Sequence, residues 1–238
     1  PTAMLDPQGR ADIMHILDEL QQHGTTIILV THHRDEFVNA DRIIRLDNGR
    51  IVQSARGNTA SIPEMDESGT AQEDNPIAKS NIANGASKPT SAVPIIEIHN
   101  LIYQYPNSSK PVLDKLSITI NEGETVAITG HNGAGKTTLA RLLCALEQPQ
   151  SGSITVNTIP VARQRANGNM QSLKRADREK LRATIGYVMQ HPERQLFAET
   201  VAEDVAYGPR NQRLDEAQVD EHVSQAMALL HIEHLADR

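Results

Sequence analysis

The sequence predicts an α/β fold with a mixed β-sheet, and three observations lead to that prediction. Two short apolar runs, residues 25–30 and 126–129, have the composition of strands that are covered on both faces of a sheet. Amphipathic helical patterns alternate with strand-like segments along the chain. A glycine-rich turn, residues 130–137, joins the second apolar run to a helical pattern. Strands and helices in this alternation indicate an α/β core.

The first predicted element is a helix that begins at Pro7. Asp6 has the residue type of an N-cap, and proline fits the first helical position. Apolar residues then recur at positions i, i+3, i+4 and i+7, which is the spacing of one helical face. Gly24 marks the end of this helix.

A buried strand and a hairpin follow this helix. The run at residues 25–30 is the strand, and the Asn48-Gly49 pair predicts a tight turn between short strands at 42–46 and 50–53. One helix, one strand and one hairpin contain too little apolar surface to enclose a core in fewer than about 60 residues. We therefore expect this segment to pack on another part of the protein.

Residues 57–94 separate this segment from the rest of the chain. They are rich in Ser, Asn, Ala, Gly and Pro, and they carry five acidic residues against two lysines. Because they show neither helical nor strand periodicity, the composition predicts a disordered linker.

The longer C-terminal segment contains strands and helices in alternation. The predicted strands lie at residues 95–98, 116–120, 126–129, 153–156 and 185–189. One predicted helix follows the glycine-rich turn, and another begins at Asp215, which has the residue type of an N-cap.

The glycine-rich turn matches the pattern G-x-x-x-x-G-K-[ST] and lies between a predicted strand and a predicted helix, which is the context that the pattern requires. Glycines let backbone N–H groups and the positive end of a helix approach the oxygens of a polyphosphate. Lys136 is expected to reach the β- and γ-phosphates, and the Thr137 hydroxyl is expected to bind Mg²⁺. No catalytic role is assigned to His131. The matching residues are Gly130, His131, Asn132, Gly133, Ala134, Gly135, Lys136 and Thr137.

The composition limits the classes of function. Lys and Arg number 23 against 30 Asp and Glu, a net charge of −7, so binding to nucleic acid over a broad surface is not expected. We expect neither a membrane span nor a signal peptide, because no apolar run approaches about 20 residues and no basic-then-apolar leader occurs. Cys144 is the single cysteine, which fits a core position in a protein of the reducing cytoplasm.

Three segments give the C-terminal part of the chain a family resemblance. GHNGAGKTTLARLLCALEQPQSGSI and IGYVMQHPERQLFAETVAEDVAYGPRN are similar to the Walker A and Q-loop regions of the ATP-binding domains of ABC transporters. IHNLIYQYPNSSKPVLDKLSITINEGE resembles their opening strands. The second segment resembles more narrowly the ATPases of energy-coupling-factor importers for cobalt and vitamins. The resemblance covers residues 95–238 and implies a P-loop NTPase core with a mixed sheet and antiparallel strands at the start of the domain.

The resemblance implies ATP and Mg²⁺ as cofactors and gives individual residues a role. The phosphate loop, extended to Thr138, would bind the phosphates, and the ring of Tyr105 would stack on adenine. Tyr103, two residues earlier, is the alternative aromatic residue. Gln190 would contact both Mg²⁺ and the attacking water, with Thr137 as the other Mg²⁺ ligand.

The N-terminal segment resembles the other end of such a domain. PTAMLDPQGR is similar to the segment that follows the Walker B strand, with Asp6 as the D-loop aspartate. TTIILVTHHRDEF is similar to the H-loop strand, with His32 as the switch histidine. In the family these two residues belong to the catalytic machinery.

The resemblance therefore implies three parts: the tail of a first ATPase domain at 1–56, the linker at 57–94, and the head of a second ATPase domain at 95–238. The 238 residues contain no LSGGQ-like signature and no apolar strand ending in Asp-Glu that would supply a Walker B motif. We interpret the chain as an internal fragment of a tandem two-domain ATPase that binds nucleotide better than it hydrolyses it. Whether the chain is an enzyme by itself stays open at this point.

Two arrangements of the N-terminal segment are compatible with the sequence. In the first, Asp6 faces the nucleotide of the second domain and His32 belongs to the other, truncated site. In the second, the strand at 25–30 pairs beside the strand at 126–129 and brings His32 towards Lys136. A flexible linker of this length spans roughly 35 Å and permits both.

The leading functional hypothesis is an ATPase that energises an importer. It would lie in the cytoplasm, held on the inner face of the cell membrane by partners: a transmembrane coupling subunit, a substrate-binding membrane subunit, and a second ATPase domain or homologous subunit. The alternative is a non-hydrolytic ATP-binding remnant that docks on such subunits. A soluble ABC ATPase acting on DNA or ribosomes is disfavoured by the acidic balance. Residues 161–182 carry seven basic side chains without interleaved aromatic residues, which indicates a solvated surface rather than a nucleic-acid site.

Overall fold

The computed structural model describes residues 7–31, 33, 36–56 and 93–238. Asp6, His32 and nearly all of the expected linker at 57–94 lie outside the described residues. The chain divides into two compact units, one formed by Pro1–Leu20 with Glu179–Arg238 and the other by Gln21–Arg178.

The described residues form five α-helices and nine β-strands. The helices are α1 (Pro7–Gln22), α2 (Lys136–Leu143), α3 (Arg175–Thr184), α4 (Val201–Asn211) and α5 (Glu216–Leu229). The strands are β1 (Ile27–Val30), β2 (Arg42–Asp47), β3 (Arg50–Arg56), β4 (Pro94–Tyr103), β5 (Leu113–Asn121), β6 (Thr125–Thr129), β7 (Ser151–Val156), β8 (Ile159–Gln164) and β9 (Met170–Gln171). Short 3₁₀ helices lie at Pro192–Gln195 and Glu233–Leu235.

The sheet that carries the phosphate loop has the strand order β1-β6-β2-β3. Strand β6 is parallel to both of its neighbours, with Val126 opposite Ile28 on one side and opposite Arg42 on the other. The apolar composition of β6 follows from this central position, because a parallel strand is covered on both faces. Both neighbours of β6 come from the first 56 residues, so the strand pairing of the second arrangement is confirmed.

A buried ion pair also joins the N-terminal segment to the rest of this unit. Arg42 Nε lies 2.8 Å from Glu124 Oε1, and the side chain of Glu124 is only 2% exposed. Glu124 Oε2 accepts hydrogen bonds from Arg42 Nη2 at 3.1 Å and from the backbone N–H of Asn121 at 2.9 Å. Asp41 adds a second link, because its Oδ2 accepts a hydrogen bond from the N–H of Thr125 at 2.8 Å. These contacts fix where β2 enters the sheet.

The predicted turn at Asn48-Gly49 is confirmed. Both residues have positive φ, 46° and 75°, which is the backbone that a two-residue hairpin of this sequence favours. Gly49 O accepts a hydrogen bond from the N–H of Asp114 at 3.0 Å. A Cβ on Gly49 would lie 2.3 Å from the carbonyl oxygen of Val112, so the turn packs directly against backbone.

Replacing Gly49 with alanine is expected to lower the free energy of unfolding by about 1–3 kcal/mol more than Gly123→Ala does, because only the first substitution forces a clash. Gly123 is the matched control: its φ is +70°, yet a Cβ there meets nothing within 4 Å. Urea denaturation of both variants measures the difference. Equal losses of unfolding free energy in the two variants would show that only the positive φ matters at Gly49, and not the clash with Val112.

The second sheet of this unit is antiparallel, with the order β5-β4-β7-β8-β9. Its inner face is apolar: Leu101, Leu113 and Ile154 are fully buried. The structure confirms an α/β fold with parallel and antiparallel strands, including the antiparallel strands expected from residue 95 onward.

In the other unit, α4 and α5 begin where side chains can cap them. Thr200 accepts a hydrogen bond from the N–H of Glu203 at 3.3 Å, and Asp215 forms a capping box with Gln218, as its residue type predicted. The strand expected at 185–189 was a wrong prediction, because this segment has no strand structure. Val188 is 61% exposed, and an apolar run becomes a strand only where another strand pairs with it.

All seven basic residues of the stretch at 161–182 are exposed, on β8, on α3 and in the intervening segment. Within the described ranges, every helix falls short of the length and apolarity that crossing a bilayer requires.

Candidate functional site

The phosphate loop lies between the end of β6 and the start of α2, as the motif requires. Gly130 has φ +144°, and a Cβ there would lie 2.3 Å from the carbonyl oxygen of Leu46. Gly135 has φ +101°, and a Cβ there would lie 2.8 Å from the carbonyl oxygen of Val112. Only glycine fits at either end of the loop, so the two ends are held tightly against neighbouring backbone.

The ammonium group of Lys136 is held over this loop. Its Nζ donates hydrogen bonds to the carbonyl oxygens of Gly130 at 2.7 Å and His131 at 2.9 Å. Partial burial lowers the pKa of Lys136 below the ordinary lysine value. Desolvation of this kind also strengthens attraction to an anion, because fewer water molecules compete for the ammonium group.

The start of α2 leaves backbone donors for an anion. The N-cap is Gly135, which has no side chain to cap the first N–H groups of the helix. These groups and the positive end of the helix dipole fit phosphate oxygens. Thr137 is exposed, whereas Thr138 is buried. The donor set therefore fits a polyphosphate, with the Thr137 hydroxyl available to a phosphate-bound Mg²⁺.

An aromatic side chain lies beside this helix. The hydroxyl of Tyr105 is 3.0 Å from Thr138 Oγ1, and its ring contacts that of Tyr103 edge to face, with centroids 5.0 Å apart. Tyr103 is 4% exposed and its hydroxyl donates a hydrogen bond to Glu147 Oε2 at 2.9 Å. Burial and that carboxylate raise the pKa of Tyr103 to about 12. Tyr105 is 38% exposed, so it is the tyrosine available for stacking, and Tyr103 supports it.

Replacing Tyr105 with alanine is expected to weaken binding of an adenine nucleotide by about tenfold, because stacking on an aromatic ring contributes about 1–3 kcal/mol per base. Tyr105→Phe is the control, since it keeps the ring and removes only the hydrogen bond to Thr138. A fluorescence titration with a labelled nucleotide measures both affinities. If the alanine and phenylalanine variants bind alike, the ring does not stack on the base.

The sequence predicted three further site residues, Asp6, His32 and Gln190. Asp6 and His32 lie outside the described residues. Gln190 is exposed and belongs to the unit that contains Glu179–Arg238. Among the described residues, no group of three or more His, Cys, Asp or Glu side chains could hold a metal ion.

One contact of the phosphate loop was not predicted from the sequence. Asp47, at the end of β2, lies 2.7 Å from the Nε2 atom of His131 in the phosphate loop. These two residues are 84 positions apart, so no local pattern could pair them. The predicted turn at Asn48-Gly49 was the one signal near Asp47.

Comparisons with known proteins agree with this geometry. The family model described as ABC transporter matches residues 113–238. An ABC transporter ATP-binding protein of Bifidobacterium longum is 47% identical over all of this chain, which covers 34% of that protein. The energy-coupling factor transporter ATP-binding protein EcfA2 of Clostridium acetobutylicum is 38% identical over 58% of this chain and 46% of its own length.

One solved structure is informative about the fold. The structure of cbiO1 from Clostridium perfringens, described as part of the ABC transporter complex cbiONQ, has a TM-score of 0.51 and 33% identity. The match covers 61% of this chain and 54% of cbiO1. The chain spans roughly a third to a half of the length of these curated relatives. Because the family model covers more than half of the chain and the phosphate loop has the geometry described above, the chain belongs to the ABC transporter ATP-binding family.

Proposed function

We propose that the chain is the nucleotide-binding part of an ATPase that energises an importer of the energy-coupling-factor type. The observation that carries this proposal is the position of Lys136, held over a glycine-rich loop at the uncapped start of α2. The similarity to EcfA2 and to cbiO1 supports the importer type.

The residues of the described site would each act on one part of the nucleotide. The loop N–H groups and Lys136 would hold the phosphates, Thr137 would contact Mg²⁺, and Tyr105 would stack on the base. Gln190 is proposed as the second contact to Mg²⁺ and to the attacking water. Asp6 and His32 keep their proposed catalytic roles from the sequence resemblance. Phosphoryl transfer depends mainly on such positioning and on charge stabilisation.

An exposed apolar group supports docking on partner subunits. Leu196 is 70% exposed and Phe197 is 63% exposed, and both lie shortly before α4. The Phe197 ring packs on Tyr207 of α4, with ring centroids 4.6 Å apart. Exposed apolar side chains that adjoin one another are typical of protein interfaces. We propose that this group faces a transmembrane coupling subunit, which would hold the chain on the inner face of the membrane beside a substrate-binding subunit.

The chain would need a second ATPase domain or a homologous subunit for hydrolysis. No LSGGQ-like signature and no Walker B motif occur in its 238 residues. We propose that it is part of a tandem two-domain ATPase, with 1–56 from a first domain, 57–94 as a linker and 95–238 from a second domain. The greater length of the Bifidobacterium longum relative is compatible with this organisation.

The missing motifs also favour a second candidate function, a non-hydrolytic ATP-binding module that docks on partner subunits. Steady-state ATP hydrolysis by the chain and by Lys136→Ala separates the two. Hydrolysis that exceeds that of the variant supports an ATPase. Equal rates, with nucleotide binding intact, support the non-hydrolytic module. Co-purification with membrane proteins tests the importer part of the proposal, and association with ribosomes or DNA instead would contradict it.

A further inference from the structure

The hairpin between β2 and β3 contacts the phosphate loop through a pair of side chains. His131, the second residue of the loop, places its Nε2 atom 2.7 Å from Asp47 Oδ1. Its Nδ1 atom is 2.6 Å from the carbonyl oxygen of Asn132. The carboxylate of Asp47 accepts a hydrogen bond, so the ring donates to it when Nε2 carries a hydrogen. The imidazole therefore joins the hairpin to the loop at one point.

The backbone of the same hairpin contacts the loop at two further points. The N–H of Gly49 donates a hydrogen bond to the carbonyl oxygen of Ala134 at 3.3 Å. Gly130 lies so close to the carbonyl oxygen of Leu46 that a Cβ would be 2.3 Å from it. Gly130 and Ala134 of the loop are thus held by Leu46 and Gly49, which lie on either side of Asp47 in the hairpin.

The hairpin is itself anchored, so it can serve as a fixed support. Gly49 O accepts a hydrogen bond from the N–H of Asp114 at 3.0 Å. Arg50 Nε donates a hydrogen bond to Asp114 Oδ2 at 3.0 Å. Asp47 is therefore presented to the loop by a turn whose backbone and side chains are tied to β5.

His131 contacts Asp47 through its side chain and the Lys136 ammonium group through its backbone carbonyl. The carbonyl oxygen of His131 accepts one of the two hydrogen bonds that Lys136 Nζ donates within the loop. Movement of His131 would move this carbonyl and remove one of the two hydrogen bonds that hold the ammonium group. The side-chain contact and the cation are thus connected through a single residue.

We propose that Asp47 and His131 are positioning residues of the phosphate loop: the Asp47–His131 contact holds the loop in the shape that receives the phosphates of a nucleotide. This inference rests on the nucleotide site proposed above. The two side chains are 43% and 52% exposed, and such exposed pairs contribute little to folding. Their effect is expected in ligand affinity, because a loop that is already ordered loses less entropy on binding.

The test is an equilibrium titration of the full chain with a fluorescent ATP analogue and Mg²⁺. His131→Ala and Asp47→Ala are each expected to weaken binding by about three- to tenfold. The double variant is expected to bind no more weakly than the weaker single variant, because both substitutions remove one contact. His131→Gln should recover most of the affinity, since its amide can donate from nearly the position of Nε2.

His99→Ala is the matched control. His99 also lies near a carboxylate, with Nε2 4.0 Å from Glu97 Oε1, and both side chains are exposed on β4. Its removal should leave the affinity unchanged. Thermal melting of each variant separates loss of affinity from loss of folding, and the glutamine variant decides the outcome if an alanine variant melts early.

Two outcomes would overturn the proposal. In the first, the single variants bind as tightly as the parent chain. In the second, their losses add in the double variant and glutamine does not restore binding. If the parent chain binds nucleotide and Lys136→Ala does not, either of these outcomes refutes the positioning role of Asp47 and His131. The proposed nucleotide site would stand. If the parent itself fails to bind, the proposed nucleotide site fails and takes this inference with it.

Discussion

Replacing Lys136 with alanine is expected to weaken binding of Mg²⁺-ATP by about 10- to 100-fold. The ammonium group is already held over the loop by Gly130 and His131, so it reaches the phosphates without a large rearrangement. Each hydrogen bond to a charged group contributes about 1.5–3 kcal/mol, and a tenfold change in affinity corresponds to about 1.4 kcal/mol. Titration with a fluorescent nucleotide measures the loss.

Lys110→Ala is the control for this prediction. Lys110 is an exposed lysine between β4 and β5, outside the phosphate loop. Its replacement removes the same charge from the protein as Lys136→Ala does. Its affinity for nucleotide should match that of the parent chain. A loss of similar size in both variants would mean that net charge, rather than the position of Lys136, governs binding.

Replacing Glu124 with alanine is expected to lower the free energy of unfolding by about 3–5 kcal/mol, because it leaves Arg42 without its charged partner in a largely buried position. The side chains of Arg42 and Glu124 are only 14% and 2% exposed. The substitution also removes the acceptor for the N–H of Asn121. Urea denaturation, followed by circular dichroism, measures the change.

The Arg50–Asp114 pair supplies a matched control. It also joins the N-terminal segment to the rest of the unit, but its side chains are 67% and 23% exposed. Asp114→Ala is expected to lower the free energy of unfolding by about 0–1 kcal/mol. The double variant Arg42→Met with Glu124→Leu should recover much of the loss, since apolar residues can replace a buried pair. Equal losses of unfolding free energy in Glu124→Ala and Asp114→Ala would contradict the larger contribution expected of the buried Arg42–Glu124 pair.

Local signals explain which elements the sequence predicted correctly. The helix at Pro7, the turn at Asn48-Gly49 and the cap at Asp215 each depend on residues close together in the chain. The apolar run now seen in β1 was predicted as a strand because a parallel strand covered on both faces needs an apolar sequence.

Other features depend on contacts that no local pattern contains. The segment at 185–189 has an apolar sequence, but strand structure requires a pairing partner. Tyr105 was assigned from the family resemblance with Tyr103 as the alternative, and the greater exposure of Tyr105 depends on packing that no local pattern contains. The contact between Asp47 and His131 required the hairpin to meet the loop, which follows from the pairing of β2 with β6.

The loop at 130–138 is proposed to bind the phosphates of a nucleotide. Isothermal titration calorimetry of the full chain with Mg²⁺ and a non-hydrolysable ATP analogue measures this directly. We expect saturable binding at one site per chain, strongly weakened in Lys136→Ala. A folded chain that releases no heat of binding, or that binds equally well after Lys136→Ala, would contradict it.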